Sequence, residues 1–324
     1  MIQHITPIPC RPWTLNGLSE RLIVSHYENN YGGAIRSANA VRRDLDSLDP
    51  AVAPGHLLRA LKREELAALD SIALHELYFE NLGGDGKIGP AVAAALDAQF
   101  GSVERWRAEF VAAAQSLRGG SGWVALVHSR RDRRLHVHVA VDHTQAMVDA
   151  APLLVLDMYE HAYHIDFGAN ANAYIDAFLR NIDWAVVERR LDEARGTGTS
   201  AKPAPEAAAL PSVSIEELSE ELASGAAVQV IDARPKHYYT RSTDLMQGAT
   251  WRDPTRVADW SNELSREAPV VVYCAYGFHV GHGVTAELRE RGFDARHVRG
   301  GLSAWYAAGG KRALKSANEA ATES

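Results

Sequence analysis

At 324 residues the chain is longer than one ordinary hydrophobic core supports, so two domains are expected. Its composition, 46% hydrophobic and 23% charged, is that of a soluble globular protein that buries both cores without staples. A formal charge of −7 leaves no basic surplus for phosphates and argues against a nucleic-acid partner; no window holds the roughly 18 apolar residues a membrane span needs.

The opening stretch MIQHITPIPCRPW has no basic segment followed by an apolar run, so no secretory signal is expected. Only Cys10 and Cys274 occur, far apart, which excludes a disulfide framework and makes a reducing cytoplasm the expected setting. Cys10 carries no role that the sequence assigns. Leu18, Leu22, Ile23 and His26 recur at helical spacing, and Leu57, Leu58, Leu61, Leu66, Leu69 and Ile72 do so again on the way to His75. The pattern then changes. WVALVHS, the basic turn RRDRR and LHVHVAV read as a hairpin, a third strand PLLVLD ends at Asp157, and YEHAYHIDF is expected to start a helix just after it. Residues 1–195 thus form an α+β domain: helices, a small antiparallel sheet, then helices.

Residues 196–211, GTGTSAKPAPEAAALP, offer one large apolar side chain, Leu210, and read as a flexible linker. Beyond it the rhythm is α/β. Ser214 and Glu217 form a capping box, VQVID and VVVYC are buried strands, and GHGVTAELRERG is a helix ending at Gly292. Strands alternating with helices imply a parallel sheet over residues 212–312, and the tail 313–324 is expected to be disordered.

Asp157 closes an apolar strand and His161 follows four residues later, so a short turn can aim both into one cavity. Singly, they also read as a helix N-cap and a core histidine. With His26 and His75 on buried helical faces, the set becomes three imidazoles and one carboxylate, which suits a first-row metal with nitrogen and oxygen preference.

Around these residues the chain resembles the iron/manganese superoxide dismutase family, over residues 9 to 192. The matching pieces are SHYENN around His26, ALHELYFENLGG around His75, GGSGW ending at Trp123, and PLLVLDMYEHAYHIDF around Asp157 and His161. The resemblance implies one iron or manganese ion per chain, held by His26, His75, Asp157 and His161. It implies superoxide as substrate, disproportionated to oxygen and hydrogen peroxide, and Val155 leans the metal towards iron or dual use. The family's gateway Tyr falls on Ala34 here, its usual His on Asn30, a pocket Trp on Phe79, and a helix-borne Gln on Ser71. His143, with Asp142 as the alternative, is expected to reach the solvent at the metal from a sheet-side loop and relay a proton. Tyr31 is expected to replace part of the missing phenol. Glu160 and Tyr163 match positions that bridge a dimer, Glu160 towards the partner's His161, which implies a homodimer or homotetramer.

In the second domain, VVVYC ends in Cys274 and is followed by AYGFHV and an apolar helix. A thiolate there is expected to face backbone N–H groups and a helix N-terminus, both favourable to negative charge, with Gly277 permitting the tight loop. Residues 212 to about 310 resemble a single rhodanese (sulfurtransferase) domain through IDARPKHYY, MQGA and VRGGLSAW. The resemblance implies a persulfide on Cys274, within the loop Ala275, Tyr276, Gly277, Phe278, His279 and Val280, that passes sulfane sulfur from a small donor to a nucleophile. His279 and Val280 stand where the family often has Arg and Ser or Thr, so a persulfide or polysulfide donor fits better than anionic thiosulfate. Val280 also excludes phosphatase chemistry, which needs Arg there. Asp232 and Arg234 read as loop supports. The expected function is a superoxide dismutase with an appended sulfurtransferase domain. The alternative is a metal-binding protein that dismutates poorly and acts mainly as a sulfurtransferase or persulfide sensor.

Overall fold

A computed structural model describes residues 2–197 and 210–315. The chain forms two compact units, the second of which includes His4–Ile8 as well as the C-terminal part. The N-terminal residues are therefore divided between units, instead of belonging wholly to a first domain of 1–195.

In the first unit, helix α1 (Glu20–Ser25) is capped by Ser19, whose hydroxyl accepts from the Leu22 N–H. It widens without a break into a π-helical turn over His26–Tyr31 and resumes as α2 (Gly32–Ser47). Helix α3 (Gly55–Glu80) packs against α2 to complete a helical hairpin. Its buried stripe is Ala68, Ser71, Ile72, His75, Tyr78 and Phe79, spaced three and four apart. Leu57, Leu66 and Leu69 are exposed, so the leucine pattern marks the core of α3 only near its end. Helices α4 (Pro90–Phe100) and α5 (Val103–Ser116) precede the sheet.

Strands β1 (Trp123–Ser129), β2 (Leu135–Ala140) and β3 (Ala150–Asp157) form the antiparallel sheet in the order β2–β1–β3, with every residue of β1 buried. The expected helix after Asp157 is broken. A 3-10 turn spans Glu160–Ala162, Tyr163 leaves helical geometry at φ −145°, and one turn, α6 (His164–Phe167), follows. Helices α7 (Ala171–Arg180) and α8 (Trp184–Arg195) close the unit. Arg190 of α8 is buried and donates to Asn81 Oδ1 (2.7 Å), the Leu153 carbonyl (3.0 Å), the Leu77 carbonyl (3.3 Å) and Glu80 Oε2 (2.7 Å). Asn81 Nδ2 in turn donates to the Val155 carbonyl at 2.8 Å, so one guanidinium ties α3 to β3.

The second unit runs β4 (Ser212–Val213), α9 (Ile215–Ala223), β5 (Gln229–Asp232), α10 (Lys236–Arg241), β6 (Asp244–Met246), β7 (Ala249–Trp251) and α11 (Val257–Trp260). It continues with β8 (Val270–Tyr273), α12 (His279–Glu290), β9 (Ala295–Val298), α13 (Gly301–Ala307) and β10 (Arg312–Leu314). Five strands form the expected parallel sheet in the order β4–β9–β8–β5–β7. Successive residues of β8 feed opposite faces: Val271 and Tyr273 join Leu218, Leu302 and Trp305, whereas Val270 and Val272 join Trp260, Val284 and Leu288. Ile5, from the N-terminal segment, packs on the first of these clusters. The capping box at Ser214 and Glu217 forms in full.

Gly196, left-handed at φ 71°, ends α8, and the linker's 198–209 lie outside the described residues. The tail does not begin in disorder: β10 pairs antiparallel with β6, and the Lys315 N–H donates to the Thr243 carbonyl at 3.2 Å. Residues 316–324 lie outside the described residues.

Candidate metal centre and sulfur loop

Four elements converge on one buried point. The π-turn begins at His26, α3 carries His75, β3 ends at Asp157, and the 3-10 turn carries His161. One ligand atom from each lies within 4.8 Å of all the others. Around Asp157 Oδ2 stand Nε2 of His26 at 3.0 Å, of His161 at 3.1 Å and of His75 at 3.8 Å. Ligand atoms about 2.1 Å from an ion and 90–120° apart are about 3.0–3.6 Å from one another; the 3.0 and 3.1 Å spacings match a single first-row ion and the 3.8 Å one lies just beyond that range.

The hydrogen bonding agrees. His26 Nε2, although 3.0 Å from the carboxylate, makes no hydrogen bond to it, and His75 Nε2 is likewise buried without a partner. Both nitrogens point to a common centre and not to a protein acceptor. Nδ1 of His75 lies 2.6 Å from the Ser71 carbonyl, which fixes the proton there and leaves Nε2 with its lone pair. Burial pushes the pKa of His26 down and that of His75 down to about 3, so both imidazoles are neutral. Burial raises the pKa of Asp157, but His161, which hydrogen-bonds the carboxylate, and the neighbouring His26 outweigh it and keep the carboxylate ionised. The Tyr174 hydroxyl donates to the Asp157 carbonyl at 2.8 Å and holds the end of β3.

Beside the centre lies a cavity of about 250 Å³, lined by His75, His143 and His161 and by the small side chains of Ala34, Ser37, Ala67, Ala68 and Ser71, with Asn30, Val41 and Glu64 completing it. Trp123 meets His75 edge-on at 5.2 Å and donates from Nε1 to Nδ1 of His143 at 3.0 Å. That bond assigns the His143 proton to Nε2. Tyr159 stacks on the same ring at 4.9 Å. Asp142 instead accepts from the N–H and hydroxyl of Thr144 and shapes the loop. Phe79 packs on His26 at 5.1 Å. Tyr31 packs on His75 at 6.4 Å, but its hydroxyl donates to Glu76 at 2.7 Å and does not line the cavity. Glu160 is exposed, and Tyr163 is buried against Tyr174. Arg190, Asn81, Tyr159 and Tyr174 escape sequence reasoning because their partners lie 17 to 113 residues away or are stacked rings without a spacing signature.

Cys274 follows β8, and its Sγ lies 3.9 Å from the Phe278 carbonyl. The loop is anchored on the start of α13: the N–H groups of Leu302 and Ser303 donate to the carbonyls of Cys274 and Ala275, both at 2.9 Å. Gly277 has φ +76°, and a Cβ there would sit 2.5 Å from the Gly300 nitrogen. Ala275, Tyr276, Gly277, Phe278 and Val280 are half-buried, and His279 is exposed at the start of α12. Arg234 grips Asp232 with its Nε (3.0 and 2.9 Å) and one terminal nitrogen (2.6 Å), and this buried pair supports the fold.

A helical hairpin and a three-stranded sheet around a His₃Asp site define a mononuclear metalloprotein joined to a parallel-sheet domain with a loop cysteine. The chain belongs to the iron/manganese superoxide dismutase family: residues 88–190 match its C-terminal domain, and residues 214–308 match the rhodanese-like domain. It is 53% identical over 184 residues to a protein named superoxide dismutase [Fe] from Cupriavidus metallidurans, covering 57% of this chain and 93% of that one. A superoxide dismutase [Fe] from Aquifex pyrophilus is 33% identical over 57% of this chain and 89% of its own. Superoxide dismutase [Mn] 1 of Halobacterium salinarum is 32% identical, over 55% of this chain and 88% of its own. Among the described residues no helix is long and apolar enough to cross a membrane.

Proposed function

We propose that the first unit disproportionates superoxide and that the second transfers sulfane sulfur through Cys274. The observation that carries the first reading is the pair of buried, unpartnered Nε2 atoms of His26 and His75 beside Asp157 and His161. An iron or manganese ion, which His26, His75, Asp157 and His161 would hold, would supply the one-electron redox chemistry that the reaction needs. Two superoxide anions and two protons give one oxygen and one hydrogen peroxide, so protons must reach the cavity. His143, held by Trp123 and Tyr159 with its proton on Nε2, is the relay. The small side chains around Ala34 leave room for a diatomic anion. Iron or dual use comes first, since the relative at 53% identity is named for iron. The exposed Glu160 next to His161 supports a homodimer or homotetramer, and two free cysteines suit the cytoplasm.

At Cys274 the thiolate attacks the outer sulfur of a small persulfide or polysulfide, and the donor leaves as a thiolate. An acceptor nucleophile then takes that sulfur and returns the Cys274 thiolate. Tyr238 beside Tyr276 at 6.2 Å, and the lack of Arg or Lys in residues 275–280, favour such a donor over thiosulfate.

The test measures dismutation, sulfur transfer and metal content on one preparation of the wild type and of Cys274→Ser. Rapid dismutation with one iron or manganese per chain in both proteins, and sulfur transfer in the wild type alone, is expected. Full metal occupancy with negligible dismutation would sink the first reading. The alternative would then stand: a metal-binding protein acting chiefly as a sulfurtransferase or persulfide sensor. The Tyr31 hydroxyl, committed to Glu76, and the absence of a phenol at Ala34 are what favour it.

A further inference from the structure

Aromatic rings crowd the four candidate ligands on every side but one. Tyr78 and Phe79 lie against His26 at 5.0 and 5.1 Å, Trp123 against His75 at 5.2 Å, and Tyr159 against His161 at 5.4 Å. The exception is the cavity of about 250 Å³ between α2 and α3, where among the described residues no Phe, Tyr, Trp, Lys or Arg stands in the lining. Ala34 and Val41 of α2 and Ala67 and Ala68 of α3 form its apolar walls. A diatomic anion fills little of that volume: a water takes about 30 Å³, and benzene enters an apolar cavity of about 150 Å³. The space suits one aromatic ring.

Two hydrogen-bond donors stand at the inner end of this cavity. The Ser71 side chain is only 6% exposed, and its hydroxyl lies 3.3 Å from His75 Nδ1. The Nδ1 proton already goes to the Ser71 carbonyl at 2.6 Å, so the hydroxyl can only share in accepting it. The hydroxyl's own hydrogen then has no acceptor among the described residues. His143 brings the second donor, the N–H at Nε2, because its Nδ1 accepts from Trp123. Both donors call for an oxygen acceptor on whatever enters. Glu64 stands at the exposed rim, two helical turns or about 10 Å along α3 from Ser71.

We infer that this cavity binds a small aromatic monocarboxylate, of which benzoate is the simplest. The carboxylate accepts from Ser71 Oγ–H and His143 Nε2–H, and the ring lies between the alanine walls of α2 and α3. Glu64 at the rim limits the ligand to one carboxylate, since a second one at the far end of the ring would meet a like charge. Superoxide is also a monoanion with two oxygens, so the two compete for the same donors. The competition rests on the dismutase reading; the binding does not.

The experiment follows benzoate by ligand-observed proton NMR with the metal-loaded full chain, with metal content and dismutation measured on the same preparation. The wild type is expected to bind one benzoate per chain with a Kd of about 1 mM, a modest contribution from each of its roughly nine non-hydrogen atoms. Acetate, which lacks the ring, and terephthalate, which adds a second carboxylate, should each bind at least about tenfold more weakly. Ala34→Leu and Ala67→Leu, both at half-buried helix positions, fill the space and should weaken benzoate at least about tenfold with metal content unchanged. Circular dichroism shows that each variant folds, and the acetate comparison needs neither of them. A wild type that binds no benzoate at about ten times the expected Kd overturns the inference. So does acetate binding as tightly as benzoate, or a folded variant that binds benzoate as the wild type does. Benzoate binding by a metal-loaded chain that does not dismutate superoxide would sink the dismutase reading and leave this site standing.

Discussion

Replacing Arg190 with Met isolates what its buried guanidinium contributes. The side chain is 7% exposed and makes four hydrogen bonds, three of them to neutral acceptors on α3 and β3 and one to Glu80, which is 43% exposed. Met keeps most of the volume but leaves Asn81 Oδ1 and the carbonyls of Leu77 and Leu153 without that donor. Leaving these three buried acceptors unmet, at upwards of about 1 kcal/mol each, costs about 3–5 kcal/mol. For a unit of this size, each kcal/mol moves the midpoint about 2–4 °C, so the first unit should melt roughly 6–20 °C lower. Glu80→Gln keeps an acceptor at the exposed end and should cost under about 1 kcal/mol. Scanning calorimetry of the metal-loaded chain measures both. An Arg190→Met within about 1 kcal/mol of the wild type, or a Glu80→Gln that costs as much, would refute the assignment of the energy to the buried acceptors.

Trp123→Phe keeps the ring against His75 but removes the donor to His143 Nδ1; losing about 1 kcal/mol of positioning should slow dismutation about fivefold with metal content unchanged. An unchanged rate would remove His143 from the relay. Gly277→Ala places a Cβ 2.5 Å from the Gly300 nitrogen at φ +76°, so the left-handed cost of about 1–2 kcal/mol is only part of the loss. Sulfur transfer should be lost while dismutation persists, as kinetic assays of both reactions will read. Burial pushes the Cys10 thiol up to about 12; below that pH it stays protonated, so peptide mass spectrometry after iodoacetamide at about pH 9 should find it unmodified until the protein is denatured.

The candidate metal ligands His26, His75, Asp157 and His161, which the fold brings together, were legible because such chemistry needs a fixed set of side chains. The hairpin, the capping box and the parallel sheet were legible because their patterns are local. Tyr31 shows where such reading ends. Counting 3.6 residues per turn places it one turn before Ala34, but a π-turn over His26–Tyr31 changes the helical pitch there, and the phenol meets Glu76 instead. The break at Glu160–Ala162 was hidden for a similar reason: it is set by the geometry at Tyr163, in a segment whose composition suits a helix. Leu57, Leu66 and Leu69 keep helical spacing yet face outward, since periodicity marks a stripe without saying what covers it. The pairing of Arg312–Leu314 with Asp244–Met246 spans about seventy residues and leaves no trace in a polar, alanine-rich tail.

The five residues His4–Ile8 bear on how this protein can be taken apart. A protease or a gene truncation that cuts within 198–209 separates the C-terminal sequence from Ile5, which packs on its core, and from Pro7, which lies against Gly300. The fragment so released is an incomplete fold with an apolar notch. A synthetic peptide carrying MIQHITPIP, added in trans, should raise its melting temperature.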